Sequence, residues 1–333
     1  MFTTGLTETQ LIGLLTTPAV ERQLGLRLGP DARATSLSAR RSTLQVSDAD
    51  GSYIVRLPQD RAHLATLRRE ARISAALRGR TALRIPDTRL VESPGHPPFA
   101  LHRMIPGEPL TTEHYTQSTP AARERLVGDL ARFFREMHSI RLSQACAWLE
   151  LPVETDDLAV ELAPRYGKPH WFAPDEVAAM RAGLVPVLGA DAWPTFERTV
   201  AQFEALAPHP EYMVFGHGDL HGYNAAVVQD GLGPRLVGVF DLENTGLLDI
   251  HEDLFRLSLV SEAMLDDVLA AYRRLPGPAR SLDRTRIAVY YRAFLFYLMV
   301  GKVGERLAHL HRLLAQHLAY CRAHGIGGPN ELL

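Results

Sequence analysis

Cysteine is almost missing from this 333-residue chain: Cys146 and Cys321 are the only two, far apart and outside any CxxC spacing. That excludes a disulfide framework and a thiolate zinc site, and it fits a reducing cytoplasm. Lysine is nearly as scarce, with Lys168 and Lys302 the only two among the bases and none before residue 168. Net charge is lacking too, since 36 Lys+Arg against 38 Asp+Glu leave a formal charge of -2. No global field exists to hold a nucleic-acid backbone or an anionic membrane surface, so neither is expected as a partner. The most apolar run, residues 287–300, is interrupted by Arg292 and too short to span a bilayer. The first residues lack the basic segment and apolar core of an export signal. What remains is ordinary for a folded chain, 46% hydrophobic and 22% charged residues, with length enough for two lobes.

Local patterns divide the chain in two. Thr7 caps a helical approach with Leu11, Leu14 and Leu15 on one face. Residues 42–46 and 52–57 are short β-branched or aromatic runs around Asp48-Ala49-Asp50-Gly51, which predicts an antiparallel hairpin. Asp60 caps a helix whose apolar positions Leu64, Leu67, Ala71 and Leu77 share a face, and two further strands fall near 88–92 and 99–105. Pro106-Gly107-Glu108-Pro109 looks like a linker. Beyond it the periodicity predicts helices over 118–138, 155–164, 174–188 and 192–206 and several across 251–324, interrupted by a hairpin of 225–229 and 236–240. The expected architecture is α+β: an antiparallel-sheet lobe over 1–105, a larger mainly helical lobe over 106–333, and a connection about 103–109.

The chemistry concentrates in His217-Gly218-Asp219-Leu220-His221-Gly222-Tyr223-Asn224 and, after the hairpin, Phe240-Asp241-Leu242-Glu243. A loop carboxylate, a carboxamide five residues on and a second carboxylate after two strands can converge where a hydroxyl is deprotonated beside a hard cation. Mg²⁺ prefers oxygen, which suits Asn224 and Asp241 as ligands, while an uncoordinated Asp219 is free to accept a proton. From 217 to 255 seven acids face one base, Arg235, a balance that a dication relieves. His217 and His221 are four apart, but HExxH needs Glu after the first His and a continuous helix, and Gly218 and Gly222 argue for a loop. His217 is expected to be a packed side chain that orients the loop.

With these residues in order, the chain resembles the aminoglycoside phosphotransferase family, relatives of the protein kinases. The resemblance extends to Tyr53-Ile54-Val55-Arg56-Leu57-Pro58, Leu67-Arg68-Arg69-Glu70, residues 99–107 and Leu248-Asp249 to Asp253-Leu254. It implies a two-lobed kinase-like fold and transfer of the γ-phosphoryl group of ATP or GTP to an acceptor hydroxyl. Asp219 is then the catalytic base, Asn224 and Asp241 hold Mg²⁺, Glu243 helps through the metal's water shell, and Asp249 and Asp253 brace the loop. The strand lysine usual in such enzymes is absent, and Arg56, paired with Glu70, is its candidate replacement. Residues 33–44 lack GxGxxG and offer Ser36, Ser38, Ser42 and Thr43 to the phosphates, while the backbone of Arg103, Met104 and Ile105 reads the base.

The acceptor is open at this stage. Residues 148–193 carry Trp148, Trp171 and Trp193 with Tyr166 and Phe172, behind an acidic start of Glu150, Glu154, Asp156, Asp157 and Glu161. Facing the cleft, such acids suit a polycationic aminoglycoside and the aromatics a macrolide; otherwise the acids favour a helix dipole and the tryptophans fill a core. The alternatives are a metabolic kinase of the same fold, acting on a sugar, choline-like or amino-alcohol substrate, and a nucleotide-binding regulator without turnover.

Overall fold

The computed structural model describes residues 7–327 apart from 26, 38–41, 94, 154, 156, 170, 172–173, 189–191 and 278–279. Ser38, Glu154, Asp156 and Phe172 therefore lie outside the described residues. Two short helices open the chain, α1 (Glu8–Leu15) and α2 (Pro18–Leu24). Thr7 and Gln10 cap α1 reciprocally, each side chain taking the other's backbone N–H. A five-stranded antiparallel sheet follows, built from β1 (Arg33–Ser36), β2 (Thr43–Asp48), β3 (Gly51–Arg56), β4 (Arg89–Val91) and β5 (Phe99–Arg103) in the order β1-β2-β3-β5-β4. The edge strand β1 escapes sequence patterning because Ala34 is its one buried residue.

The period of two in these strands decides what faces the site. Leu44, Val46, Val55 and Leu101 point into a core shared with Leu11, Leu15 and Val20 of the first helices. Thr43, Ile54, Arg56 and His102 consequently stand on the opposite face, where a cleft opens. Between β3 and β4, α3 (Arg61–Leu77) starts at Asp60, whose side chain accepts from the His63 N–H at 2.7 Å. Its buried stripe is Leu64, Leu67, Glu70, Ile73 and Leu77, so an acid sits where helical spacing calls for an apolar residue.

The segment expected to be a free linker is partly a strand. β6 (Glu108–Pro109) pairs with β8 (Ala225–Asp230), which itself forms the expected hairpin with β9 (Gly233–Val239). Gly107 permits this docking: its φ is +136°, and a Cβ there would lie 2.7 Å from the Val227 carbonyl oxygen. The rest of the chain supplies α4 (Thr112–Thr116), α5 (Pro120–His138), α6 (Leu142–Leu149), α7 (Leu158–Tyr166), α8 (Pro174–Leu184), α9 (Ala192–Ala205), α10 (Ile250–Phe255), α11 (Glu262–Arg274), α12 (Arg284–Met299) and α13 (Gly304–His324). Sequence periodicity missed α4 and α6, which are only one to two turns long. It also missed β7 (Met213–Gly216) and β10 (Gly246–Asp249), which pair with each other and are buried throughout. A short strand buried on both faces shows no alternation and cannot be told from a helical fragment.

The large core gathers Phe133, Phe134, Phe203, Phe215, Phe255 and Tyr290, and Ile73, Leu77 and Leu83 join it from the N-terminal side. The arginine inside the apolar stretch is accounted for within this core: Arg292 is 3% exposed and donates to Gln202 Oε1 at 2.7 Å. Among the described residues no helix is long and apolar enough to cross a membrane. Both cysteines are buried free thiols.

Candidate active site

β7 delivers the chain into the loop that carries Asp219, and buried polar groups fix that loop. Asp253, in α10 and fully buried, accepts from the Gly218 N–H at 2.6 Å and the His217 N–H at 3.2 Å. His138 Nε2 of α5 donates to the same carboxylate at 2.9 Å, and its Nδ1 lies 3.1 Å from the Tyr272 hydroxyl. Burial works against the Asp253 charge, yet these bonds hold its carboxyl below the usual carboxylate range. His217 is the packed, orienting side chain expected of it. Its Nε2 donates to the Phe240 carbonyl at 3.1 Å and its Nδ1 accepts from the Asp219 N–H at 3.3 Å, which selects one neutral tautomer. Burial lowers its pKa in the same direction. Asp249, expected to brace the loop, instead caps α10 and ties Arg286 of α12 at 2.6 Å.

Asn224 is buried, and its Nδ2 donates to the Asp219 carbonyl at 2.8 Å, so Oδ1 is the atom it can offer a cation. Asp241 follows β9 in left-handed backbone, φ +62°, a conformation that strains a non-glycine residue and recurs at functional sites. Its Oδ1 is buried and lacks a hydrogen-bond partner, with the Arg56 guanidinium 3.9 Å away.

Arg56 reaches across the cleft from β3. Nη1 donates to Glu70 at 2.5 Å and Nη2 to Glu243 at 2.6 Å, so the expected Arg56–Glu70 pair is present. Glu243 is thereby engaged by Arg56 rather than turned free toward a metal. Burial pushes the Glu70 carboxyl up to about 7 against the pull of Arg56. Burial opposes the Arg56 charge as well, but the carboxylates of Glu70, Asp241 and Glu243 raise its pKa on balance.

The acid excess of 217–255 is met by partners remote in sequence: Arg256 for Asp219, Arg125 for Asp230, Arg56 for Glu243 and Arg286 for Asp249. Asp241 alone of these keeps an unpartnered buried oxygen. The donor set there, a carboxylate oxygen and a carboxamide oxygen, suits Mg²⁺, which commonly takes one or two protein ligands and draws the rest from phosphates and water. Among the described residues no three His, Cys, Asp or Glu side chains enclose a metal unaided.

Two pockets meet at this constellation. One, about 370 Å³, lies between the sheet and the β8–β9 hairpin and is lined by Thr43, Arg56, Glu70, Met104, Ile105 and Asp241. The other, about 590 Å³, is lined by Asp219, His221, Tyr223, Arg256 and Phe294, and Pro109 borders both. Ser42 does not line the first pocket; its carbonyl accepts from the Leu57 N–H at 2.8 Å. The Arg103 side chain leaves it as well, donating to the Asp50 carbonyl at 2.9 Å. The described acids of the 150–161 stretch do not line the second pocket, as the helix-dipole reading has it: Glu150 pairs with Arg72, Asp157 caps α7, and Glu161 lies 3.6 Å from Arg165. Lining residues that the sequence did not single out include His102, Glu113, His309 and Arg256. Arg256 had a signal, being the first base after the acidic run.

A family model described as the phosphotransferase enzyme family matches residues 32–290. No curated protein sequence matches the chain. Solved structures do. The GDP complex of wild-type aminoglycoside 2'-phosphotransferase-IIIa is 16% identical with a TM-score of 0.67, over 95% of this chain and 99% of that one. Apo macrolide 2'-phosphotransferase MphH from Brachybacterium faecium is 18% identical with a TM-score of 0.56, over 93% and 97%. A ternary complex of streptomycin, ATP and APH(2")-IIa gives 16% and 0.54, over 94% and 97%.

Proposed function

The chain belongs to the phosphotransferase enzyme family, and from that premise we propose that it moves the γ-phosphoryl group of a nucleoside triphosphate to a small-molecule hydroxyl held beside Asp219. The observation that carries this reading is the adjacency of the two pockets, with Asp241 opening into one and Asp219 into the other. A nucleotide occupying the first pocket directs its phosphates toward Arg56 and Asp241, and its base lies against Met104 and Ile105. An acceptor in the second presents its hydroxyl to Asp219.

The hydroxyl proton passes to Asp219 as the oxygen bonds to the γ-phosphorus, and the bond from that phosphorus to the β–γ bridging oxygen breaks, releasing the nucleoside diphosphate. Asn224 and Asp241 are the residues that would hold Mg²⁺, which when bound neutralises charge on the transferring phosphates. Arg56 supplies a second, permanent positive charge that Glu70 and Glu243 aim. Positioning and charge neutralisation carry most of the rate.

The metabolic-kinase alternative differs in acceptor rather than in mechanism, whereas a regulator without turnover has no use for a base held by two buried histidines and Asp253. The test is release of ADP and GDP with Mg²⁺ across hydroxylated acceptors, comparing the native chain with Asp219→Asn. Acceptor-dependent release that falls roughly 10²- to 10⁴-fold in the variant supports the assignment. Undiminished release in Asp219→Asn removes Asp219 from the role.

A further inference from the structure

The pocket beside Asp219 has a charge balance unlike that of a site built for a polycation. Among the described residues lining it, Asp219 and Glu113 are the acids, while Arg256, His221 and His309 are basic or titratable. Arg256 stands just after α10, 11% exposed, with Nη1 2.9 Å from Asp219 Oδ1. Its guanidinium carbon lies 4.2 Å from the ring centroid of Phe294, 4.9 Å from Phe255 and 5.9 Å from Trp171. Its Nε is buried without a hydrogen-bond partner. Glu252 and Asp253 are the other carboxylates in its field.

These contacts immobilise the guanidinium. Aromatic faces clamp the plane of the cation and the carboxylate takes one edge, so the charge cannot swing out of the pocket when a ligand arrives. The permanent cation offsets the Asp219 carboxylate, and Leu259, Val260 and Leu298 add an apolar wall. An acceptor with several ammonium groups meets repulsion from Arg256 there, and among the described lining residues only Glu113 is left to offset it.

We propose that Arg256 positions the catalytic base and sets acceptor charge: it fixes one oxygen of Asp219 so that the other meets the hydroxyl, and it selects a neutral or anionic hydroxylated molecule with an apolar body over a polycation. This inference rests on the phosphotransfer reading of Asp219.

The experiment uses kanamycin as the polycationic probe, binding measured by calorimetry on the full chain. Arg256→Gln is expected to bind kanamycin about tenfold more tightly than the native protein, the size of one screened charge contact. Arg256→Lys keeps the charge and stays near the native affinity. Arg256→Met, which retains a stem against Phe294, serves as the second neutral variant where the glutamine protein does not fold. Positioning reads separately: basal nucleotide hydrolysis in the neutral variants drops about tenfold in kcat with the nucleotide KM unchanged, and Arg256→Lys recovers part of it. Kanamycin binding that is unchanged or weaker in a folded neutral variant overturns the charge selection, and unchanged kcat overturns the positioning role. Failure of the underlying reading shows elsewhere, as native-level diphosphate release by Asp219→Asn.

Discussion

Replacing Asp253 with asparagine probes whether the loop that carries Asp219 depends on a buried carboxylate. Oδ1 accepts from the Gly218 N–H, and Oδ2 accepts from both the His217 N–H and His138 Nε2. A carboxamide has one oxygen to offer. Its better rotamer keeps that oxygen for His217 and His138 and turns its NH₂ against the Gly218 N–H, leaving a buried donor unsatisfied at about 1–3 kcal/mol. The two surviving bonds lose their charge assistance, at about 0.5–1 kcal/mol each. The sum is about 2–5 kcal/mol, a large share of the roughly 5–15 kcal/mol that holds a typical domain folded. Because Gly218 adjoins Asp219, turnover falls along with stability. Urea denaturation at pH 7 measures the first and nucleoside diphosphate release the second. The depressed pKa of Asp253 also fixes a sign: its contribution is present above the ordinary value of 3.8 and is lost as the pH falls below it, a loss missing from the variant. A destabilisation under about 1 kcal/mol with native turnover refutes the view that this carboxylate organises the loop.

Arg56→Lys retains the charge but cannot bridge Glu70 and Glu243 together, so the nucleotide KM is expected to rise roughly tenfold with a smaller change in kcat; steady-state kinetics decide. Asp241→Asn is expected to raise the Mg²⁺ concentration needed for half-maximal nucleotide binding by about a hundredfold, read by titrating the metal at fixed nucleotide. Glu70, pushed up to about 7 from 4.5, stabilises the fold fully below its unfolded value, and that contribution is lost as pH rises through 7. The stability of native protein relative to Glu70→Gln is therefore expected to decline by up to about 3 kcal/mol between pH 4.5 and 7.5, and a flat difference in urea midpoints contradicts the shift. Gly218→Ala places a Cβ 2.4 Å from the Asn244 carbonyl oxygen at a φ of +75°, so a loss of at least about 2 kcal/mol is expected in thermal unfolding.

Much of this site can be read in the order of its residues. His217, Asp219, Asn224 and Asp241 stand out because their side-chain chemistry is uncommon at such spacing, and Glu70 through the family resemblance of Leu67-Arg68-Arg69-Glu70, its place in the buried stripe of α3 showing only in the structure. Strands with one wet face, β2 and β3, announce themselves by alternation, whereas β7 and β10 are dry on both faces and carry no such mark. The neutralising partners of the acids are hidden for a different reason. Arg125 lies 105 residues from Asp230 and Arg56 lies 187 from Glu243, distances at which no local pattern operates. Arg256 carries a local cue, because it follows the acidic run Glu252-Asp253 at a helix end, where a single base faces the acids. The acids after Glu150 left two readings open, and the helix-start one holds for Asp157, which caps α7, because helix starts attract carboxylates whatever surrounds them.

The Arg56 guanidinium in the cleft beneath the sheet changes what covalent chemistry can reach this protein. Reagents that acylate the amine of a strand lysine have no target at position 56, and the two lysines of the chain, Lys168 and Lys302, line neither pocket. Acyl-phosphate nucleotide probes and lysine acetylation therefore pass the cleft by, while dicarbonyl reagents that condense with guanidines find Arg56 already gripped by Glu70 and Glu243. Amine capture finds no lysine among the described residues lining this cleft, and arginine-directed labelling is the handle that it presents.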